Sequence, residues 1–483
     1  MSYNTEKKPN ILFVLTDDQG YWALGCNGNN EIITPNIDSL ASEGVRFENF
    51  FCVSPVCSPA RASLLTGRIP SQHGVHDWIR EGNTGANAIE YLKDMPGYTE
   101  YLAQLGYNCA HSGKWHLGDN AKPQKGFTRW YAHQRGGGDY YNAPMVKNGE
   151  LINEPTYVTD AITENALLFL DELTKEDKPF YLGVHYTAPH SPWTNGNHPI
   201  ELTSLYDDCP FETCKVREPH PWAIYSTAPD APTPETAKNP RENLKGYFAA
   251  VTGVDRSVGR IIERLKELQI YDNTLVIFTA DNGFNCGHHG IWGKGNGTFP
   301  LNMYDTSIKV PFIMRHPEVI KPGRVCKTMV SGYDFMPTIL EYVGIENPEC
   351  DELPGKSFYN QLILDKESPN SRPVVVFDEY GPVRMIRTSE YKYIYRYPYG
   401  PDEFYNLIKD PEEEINCINK LEYADTIKQL KIQMDEWFKK YVNPDMDGTK
   451  ERVSGNGQIK KAGKYAEGEK NYCELGYRIT YDI

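Results

Sequence analysis

The chain has 483 residues, 40% of them apolar, enough for one large domain with a smaller one beside it. A formal charge of −15 counts against nucleic acid as a partner and against long-range steering of a polyanionic polymer. Eleven cysteines without regular spacing argue against a disulfide framework, and neither a signal-type apolar core nor a membrane span is visible, so the expected location is cytoplasmic with no membrane partner.

Residues 9–16 form a continuous apolar run that ends in Asp17-Asp18-Gln19-Gly20. Such a run reads as a buried parallel strand that delivers polar residues to the C-terminal edge of a sheet, where ligands bind. Residues 34–41 follow as a short helix with Pro35 at its first position and Gly44 past its end. An aromatic run over 47–51 then leads to Cys57-Ser58-Pro59-Ala60-Arg61, and a helix is expected from Arg61. Cys57 therefore sits at a helix N-terminus, where unpaired N–H groups favour anions. By itself it is a small buried hydrophobe or a thiol nucleophile, and a nucleophile needs a paired base. His73, His76, Asp77, Trp78 and Arg80 follow in a loop over 72–80, dense in groups that hydrogen-bond and stack, and are candidates for substrate contact.

A helix over 98–105 and a strand over 107–111 lead into Gly113-Lys114-Trp115-His116-Leu117-Gly118. In an extended segment, Lys114 and His116 share one side. Residues 127–141, with His133, Arg135 and three successive glycines, are expected to be an irregular loop beside the site. A helix over 159–173 and a strand over 180–186 end in Pro189-His190-Ser191-Pro192; His185 is either a core residue or a second contact. Residues 195–239 are rich in proline and lack periodicity, which predicts a long insertion with some lid character. The clearest helix spans 244–268, and another apolar strand over 274–280 ends in Asp281-Asn282.

Asp17, Asp18, Asp281 and Asn282 thus converge on one sheet edge, and three carboxylates at one point repel without a cation. An all-oxygen donor set favours Ca²⁺ first and Mg²⁺ second; His288 and His289 keep zinc open. Lys294 closes a glycine-rich stretch and is followed by a loop over 295–303, with Lys309 a less favoured substitute. A strand over 310–313 and a helix over 333–343 come next. From about residue 371, strands over 374–377, 383–388 and 391–397 and a helix over 424–441 indicate a small antiparallel unit. The tail over 446–483 is polar, and whether it folds back is open.

Cys57-x-Pro59-x-Arg61 with Leu64-Leu65-Thr66-Gly67-Arg68, the stretch from Gly113 to Gly118, and Pro189-His190-x-Pro192 resemble the type I sulfatases of the alkaline-phosphatase superfamily. The resemblance implies an α/β fold, a large mixed, mostly parallel sheet sandwiched by helices, with a smaller C-terminal antiparallel sheet and helix. It divides the chain into a catalytic domain over 1–370, a subdomain over 371–445 and a tail over 446–483. It implies that Cys57 is converted to formylglycine by a transient partner, a formylglycine-generating or radical-type maturating enzyme, and that the modified residue joins Asp17, Asp18, Asp281 and Asn282 around the cation. Lys114, Lys294 and His190 would bind the sulfate group, His116 and Arg61 would attend the formylglycine, and the reaction would release sulfate from a small sulfated substrate. A sulfated saccharide is the first choice and an aryl or steroid sulfate the second. A phosphoester or phosphonate hydrolase of the same fold and a catalytically silent binding protein are the alternatives.

Overall fold

Ile11, Phe13 and Leu15 on one face of the first strand and Leu12 and Val14 on the other are all buried, so this strand needs apolar cover on both sides. The computed structural model supplies it. Residues 8–194, 196–226, 231–364, 380–398, 400–453, 455–466, 470–473 and 478–480 are described. The strand Asn10–Thr16 lies inside a sheet of 11 strands, between Thr274–Ala280 and Phe180–His185, both parallel to it. Asn108–Gly113 and Phe127–His133 extend the parallel set on one side. On the other side Lys309–Arg315 runs antiparallel between Thr274–Ala280 and Val45–Phe51, so Val45–Phe51 points the same way as the central strands. These six strands therefore point their C-terminal ends the same way.

Helices Tyr98–Gln104 and Phe335–Tyr342 pack on the face of Ile11 and Phe13, while Pro35–Ser42, Val158–Leu173 and Pro240–Glu267 cover the face of Leu12 and Val14. A separate antiparallel sheet, Val383–Arg387, Tyr391–Arg396 and Glu403–Asn406, packs on helix Ala424–Tyr441 around its own core of Ile386, Tyr393, Phe404, Met434 and Phe438. The strand expected over 374–377 and the boundary at 370–371 lie outside the described residues. All eleven cysteines are free, and among the described residues no helix is long and apolar enough to cross a membrane.

Two expectations need correction. Residues 127–141 are not one irregular loop: Phe127–His133 is a strand, paired with Asn108–Gly113 because Trp130 and Tyr131 are buried on opposite faces, and only the residues after His133 form the loop. The hairpin Ala143–Lys147 and Glu150–Glu154 was also unexpected. Its turn is Asn148-Gly149, both at positive φ (54° and 80°), the dipeptide that best suits a two-residue hairpin and the signal from which the hairpin could have been read. The insertion over 195–239, expected to be long and irregular, carries only short pieces of structure among its described residues, such as Ile200–Thr203, Ile224–Ser226 and Pro234–Lys238.

Candidate active site

Five of these strand ends contribute to one cluster. Asn10–Thr16 delivers Asp17 and Asp18, Thr274–Ala280 delivers Asp281 and Asn282, Asn108–Gly113 delivers Lys114 and His116, and Phe180–His185 leads to His190. Val45–Phe51 leads to helix Cys57–Thr66, which begins at Cys57 itself, four residues earlier than expected. Asp18 at φ 63° and His116 at φ 57° hold left-handed backbone that non-glycine residues rarely adopt. Side chains aimed from such positions mark places where the chain is held against its local preference.

Cys57 Sγ is the hub. It lies 3.1 Å from Asp17 Oδ1, accepts from Lys294 Nζ at 2.8 Å, and has Asp18 Oδ1 at 3.9 Å. Lys114 Nζ donates to Asp17 Oδ2 at 2.5 Å, and Lys294 Nζ also donates to Asp18 Oδ1. Arg61 donates from Nε to Asp281 Oδ2 and from Nη1 to the Lys114 carbonyl, both at 2.8 Å. Asn282 Nδ2 donates to Asp18 Oδ1 at 2.8 Å. Asp17, Asp18 and Asp281 thus face Lys114, Lys294 and Arg61, three formal negative charges against three positive ones, all buried. A neutral cluster of this kind escapes the penalty of an uncompensated buried charge.

The titration of the groups follows from burial and these pairs. Burial alone would raise Asp17, but Lys114 first, then His190, Lys294 and Arg61, hold it well below the usual carboxylate range. Asp281, pushed by burial and by the Asp17 charge, moves up to about 6. Burial and the neighbouring Asp17 push the Cys57 thiol up to about 12, more than Lys114 and Lys294 pull it down. At neutral pH that thiol is protonated and a weak nucleophile. Among the described residues no histidine hydrogen-bonds to Cys57 Sγ, so the base that a cysteine hydrolase requires is lacking. Burial, reinforced by Lys114, keeps His116 well below the usual histidine range and hence neutral.

Two observations test whether the set suits a cation. Asn282 Oδ1 is buried without a hydrogen-bond partner, and Asp17, Asp18 and Cys57 offer ligand atoms within 4.8 Å of one another. An orphaned amide oxygen beside carboxylate oxygens fits a hard divalent ion.

Over the cluster lies a cleft of about 570 Å³. His116, His190, Lys114 and Lys294 reach it, together with Trp78, Arg80 and Arg135, three of the expected substrate contacts. His190 Nε2 is 3.7 Å from Asp18 Oδ2, and its Nδ1 is held by the Ser191 carbonyl at 2.8 Å. The other expected contacts do not line the cleft, because each is used in packing. His73 Nε2 meets Ser63 Oγ at 3.1 Å, and Asp77 accepts from Tyr380 Oη at 2.6 Å and from the Gly457 amide at 2.9 Å. His76 is fully buried, His133 is turned onto the Arg135 backbone, and His185 packs in the core against Phe13 and His111. Glu81, Asp139, Asn296, Gly455 and Asn456 line the cleft and went unread. Asp139 and Asn296 fall in segments expected near the site, over 127–141 and 295–303, and Gly455 and Asn456 fall in a glycine-asparagine turn; Glu81 carried no sequence signal.

A mostly parallel sheet sandwiched by helices, with acidic and basic groups gathered at its strand ends and a smaller antiparallel sheet beyond, is the alkaline-phosphatase type of fold. The profile of the family described as Sulfatase matches residues 9–345, and that described as N-sulphoglucosamine sulphohydrolase, C-terminal, matches 287–440. An N-acetylglucosamine-6-O-sulfatase of Bacteroides thetaiotaomicron is 30% identical, over 91% of this chain and 88% of that one. An ulvan-active sulfatase of Formosa agariphila is 29% identical over 89% and 81%. A solved structure of a protein in complex with its substrate D-glucosamine-2-N,6-O-disulfate superposes with a TM-score of 0.76 at 27% identity, covering 92% of this chain and 100% of that one. The chain belongs to the sulfatase family and is a sulfuric ester hydrolase.

Proposed function

We propose that this chain hydrolyses the sulfate ester of a small saccharide, with formylglycine made from Cys57 as nucleophile and one divalent cation, calcium before magnesium, held by Asp17, Asp18, Asp281 and Asn282. The observation that carries the reading is the place of Cys57, the first residue of a buried helix, in reach of Asp17 and Lys294. A thiol pushed up to about 12 is poorly suited to attack, which supports conversion of this residue.

Formylglycine would supply a hydrated aldehyde oxygen for attack on sulfur, and the bound cation would supply charge neutralisation and a lowered pKa for that oxygen. The neutral cluster becomes net positive when it holds a dication, so it is matched to the anionic sulfate group. Lys114 and Lys294 stabilise the sulfuryl oxygens as charge builds on them, the electrostatic contribution that dominates such transfers. His190 Nδ1–H is spent on the Ser191 carbonyl, so the ring gives a proton to the departing alcohol oxygen from Nε2 in its imidazolium form, and His116 takes one up at Nδ1. Arg61 Nη2, buried and without a partner among the described residues, is available to hold the residue made from Cys57.

The saccharide reading is supported by two relatives, the N-acetylglucosamine-6-O-sulfatase and the protein bound to glucosamine-2-N,6-O-disulfate, and by a cleft that mixes Trp78 with Arg80, Glu81, Arg135, Asp139 and Asn456. The test has two parts. Mass spectrometry of the peptide holding Cys57, after co-expression with a maturating enzyme, is expected to show sulfur replaced by oxygen with loss of two hydrogens. Ester hydrolysis is then compared on N-acetylglucosamine 6-sulfate and 4-nitrophenyl sulfate, read as sulfate release, and on 4-nitrophenyl phosphate, read as phosphate release, and the sugar sulfate is expected to react fastest. Full activity in a preparation whose Cys57 is an intact thiol, or in Cys57→Ala, defeats the reading.

A further inference from the structure

The peptide of Ile79 lies between the two ends of the site. Its N–H donates to Ser58 Oγ at 3.0 Å, one residue from Cys57, and its carbonyl accepts from His116 Nε2 at 2.9 Å and from Asn83 Nδ2 at 3.1 Å. A carbonyl oxygen only accepts, so the facing nitrogen of a neutral ring must carry the hydrogen. His116 is thereby fixed with Nε2 protonated and Nδ1 bare, and Nδ1 has no partner among the described residues.

What holds Ile79 comes from the far end of the chain. Gln458 pairs with both neighbours of Ile79: its N–H donates to the Trp78 carbonyl and its carbonyl accepts from the Arg80 N–H, each at 2.8 Å. Its side chain, fully buried, is saturated. Oε1 accepts from the His76 amide at 2.9 Å and the Asp77 amide at 3.4 Å, and Nε2 donates to the carbonyls of Gly74 and Lys460 at 2.9 Å. With all four positions of the amide satisfied, it has one orientation, and the segment from Gly74 to Arg80 is clamped along its length.

We infer that Gln458 is a positioning residue for His116: it locks the Ile79 carbonyl in place and so selects the ring tautomer whose bare Nδ1 serves the reaction. The inference rests on the role given to His116 above. The side chain is more than 300 positions from the ring it controls, and it touches neither substrate nor the reacting atoms.

The experiment uses the full chain labelled with ¹⁵N-histidine, with the His116 resonances assigned by their loss in His116→Gln. In the wild type the ring nitrogens are expected to report Nε2–H and bare Nδ1; the reverse pattern overturns the inference whatever any variant does. Gln458→Met keeps the length of the side chain and both backbone bonds but removes its four hydrogen bonds. It is expected to show mixed His116 tautomers and a kcat lowered about 10- to 100-fold with KM within about two-fold, measured on the sulfate ester cleaved fastest. A loss confined to stability, with tautomer and kcat as in the wild type, overturns the inference. Should Gln458→Met not fold, Gln458→Asn, which retains the amide one methylene short of its partners, is read by the same two outcomes. Unchanged turnover in His116→Gln would remove the acid-base role itself, a failure distinct from that of the clamp.

Discussion

Lys114 and Lys294 are fully or nearly fully buried cations, each bonded to an aspartate of the cluster. A lysine in that setting either balances charge or grips an anion, and the two roles part on substitution. Charge balance alone predicts lost stability with turnover of the folded fraction preserved, whereas stabilisation of the sulfuryl oxygens predicts a loss in turnover. Lys114→Ala and Lys294→Ala are each expected to lower kcat by about 10²-fold or more in protein shown to be folded. Normal kcat in both would leave them a structural role. Gly136 makes a finer test at the same scale. A methyl group there would overlap the His116 imidazole, and the backbone of Gly136 does not need positive φ, so the contact is the whole of the obstacle. Gly136→Ala is expected to displace the ring and lower kcat at least about tenfold with a melting temperature close to that of the wild type. An active Gly136→Ala chain would show that His116 tolerates displacement.

At the scale of elements, the small C-terminal sheet is tied to the large one through Asp305. Arg387 donates to it from Nε at 3.1 Å and from Nη2 at 2.8 Å, and Lys392 donates at 2.6 Å, while Glu413 shares Lys392 and accepts the Asp305 amide at 2.6 Å. Burial works to raise the Asp305 carboxyl, but Arg387 and Lys392 hold it well below the usual range. A depressed folded-state pKa contributes stability above the unfolded value, near 3.9, and loses it as pH falls toward the folded one. Asp305→Asn is therefore expected to cost about 3 kcal/mol at pH 7, measured by denaturant unfolding, with the gap to the wild type closing below about pH 4. A gap independent of pH would mean that shape, and not charge, makes the joint. The same scale shows what could be read in advance. Strands buried on both faces announce themselves as unbroken apolar runs, and their polar ends, Asp17-Asp18 and Asp281-Asn282, fell where the runs stop. Phe127–His133 mixes Thr128, Arg129 and His133 with aromatics and fits neither period, so its pairing with Asn108–Gly113 had no local signal. The loop over 72–80 was legible in part, since Trp78 and Arg80 reach the cleft while His73, His76 and Asp77 do not. A row of hydrogen-bonding side chains looks like a binding surface, yet His73, Asp77 and the peptides beside them are spent on partners such as Ser63, Tyr380 and Gln458, the last more than 370 positions away.

For the whole molecule the question is whether a chain with a formal charge of −15 holds one cation at the proposed site or only gathers cations over its surface. Dications will gather weakly around so acidic a surface, and calcium dependence of activity or stability is by itself no evidence of a site. The discriminating atom is Asn282 Oδ1, buried and without a partner among the described residues, and uncharged, so that removing it leaves the net charge unaltered. A ligand bound only by the folded state adds about 2.7 kcal/mol at 100 times its dissociation constant. In a chain of this length that corresponds to a rise in melting temperature of about 3 °C. The wild type is expected to show that rise with calcium, a smaller one with magnesium at equal concentration, and its reversal by a chelator. Asn282→Leu should lose the rise, while Asp305→Asn, in the joint to the small sheet, should keep it although it starts from a lower melting temperature. An equal calcium shift in wild type and Asn282→Leu would assign the effect to diffuse surface charge and leave Asp17, Asp18 and Asp281 balanced by Lys114, Lys294 and Arg61 alone.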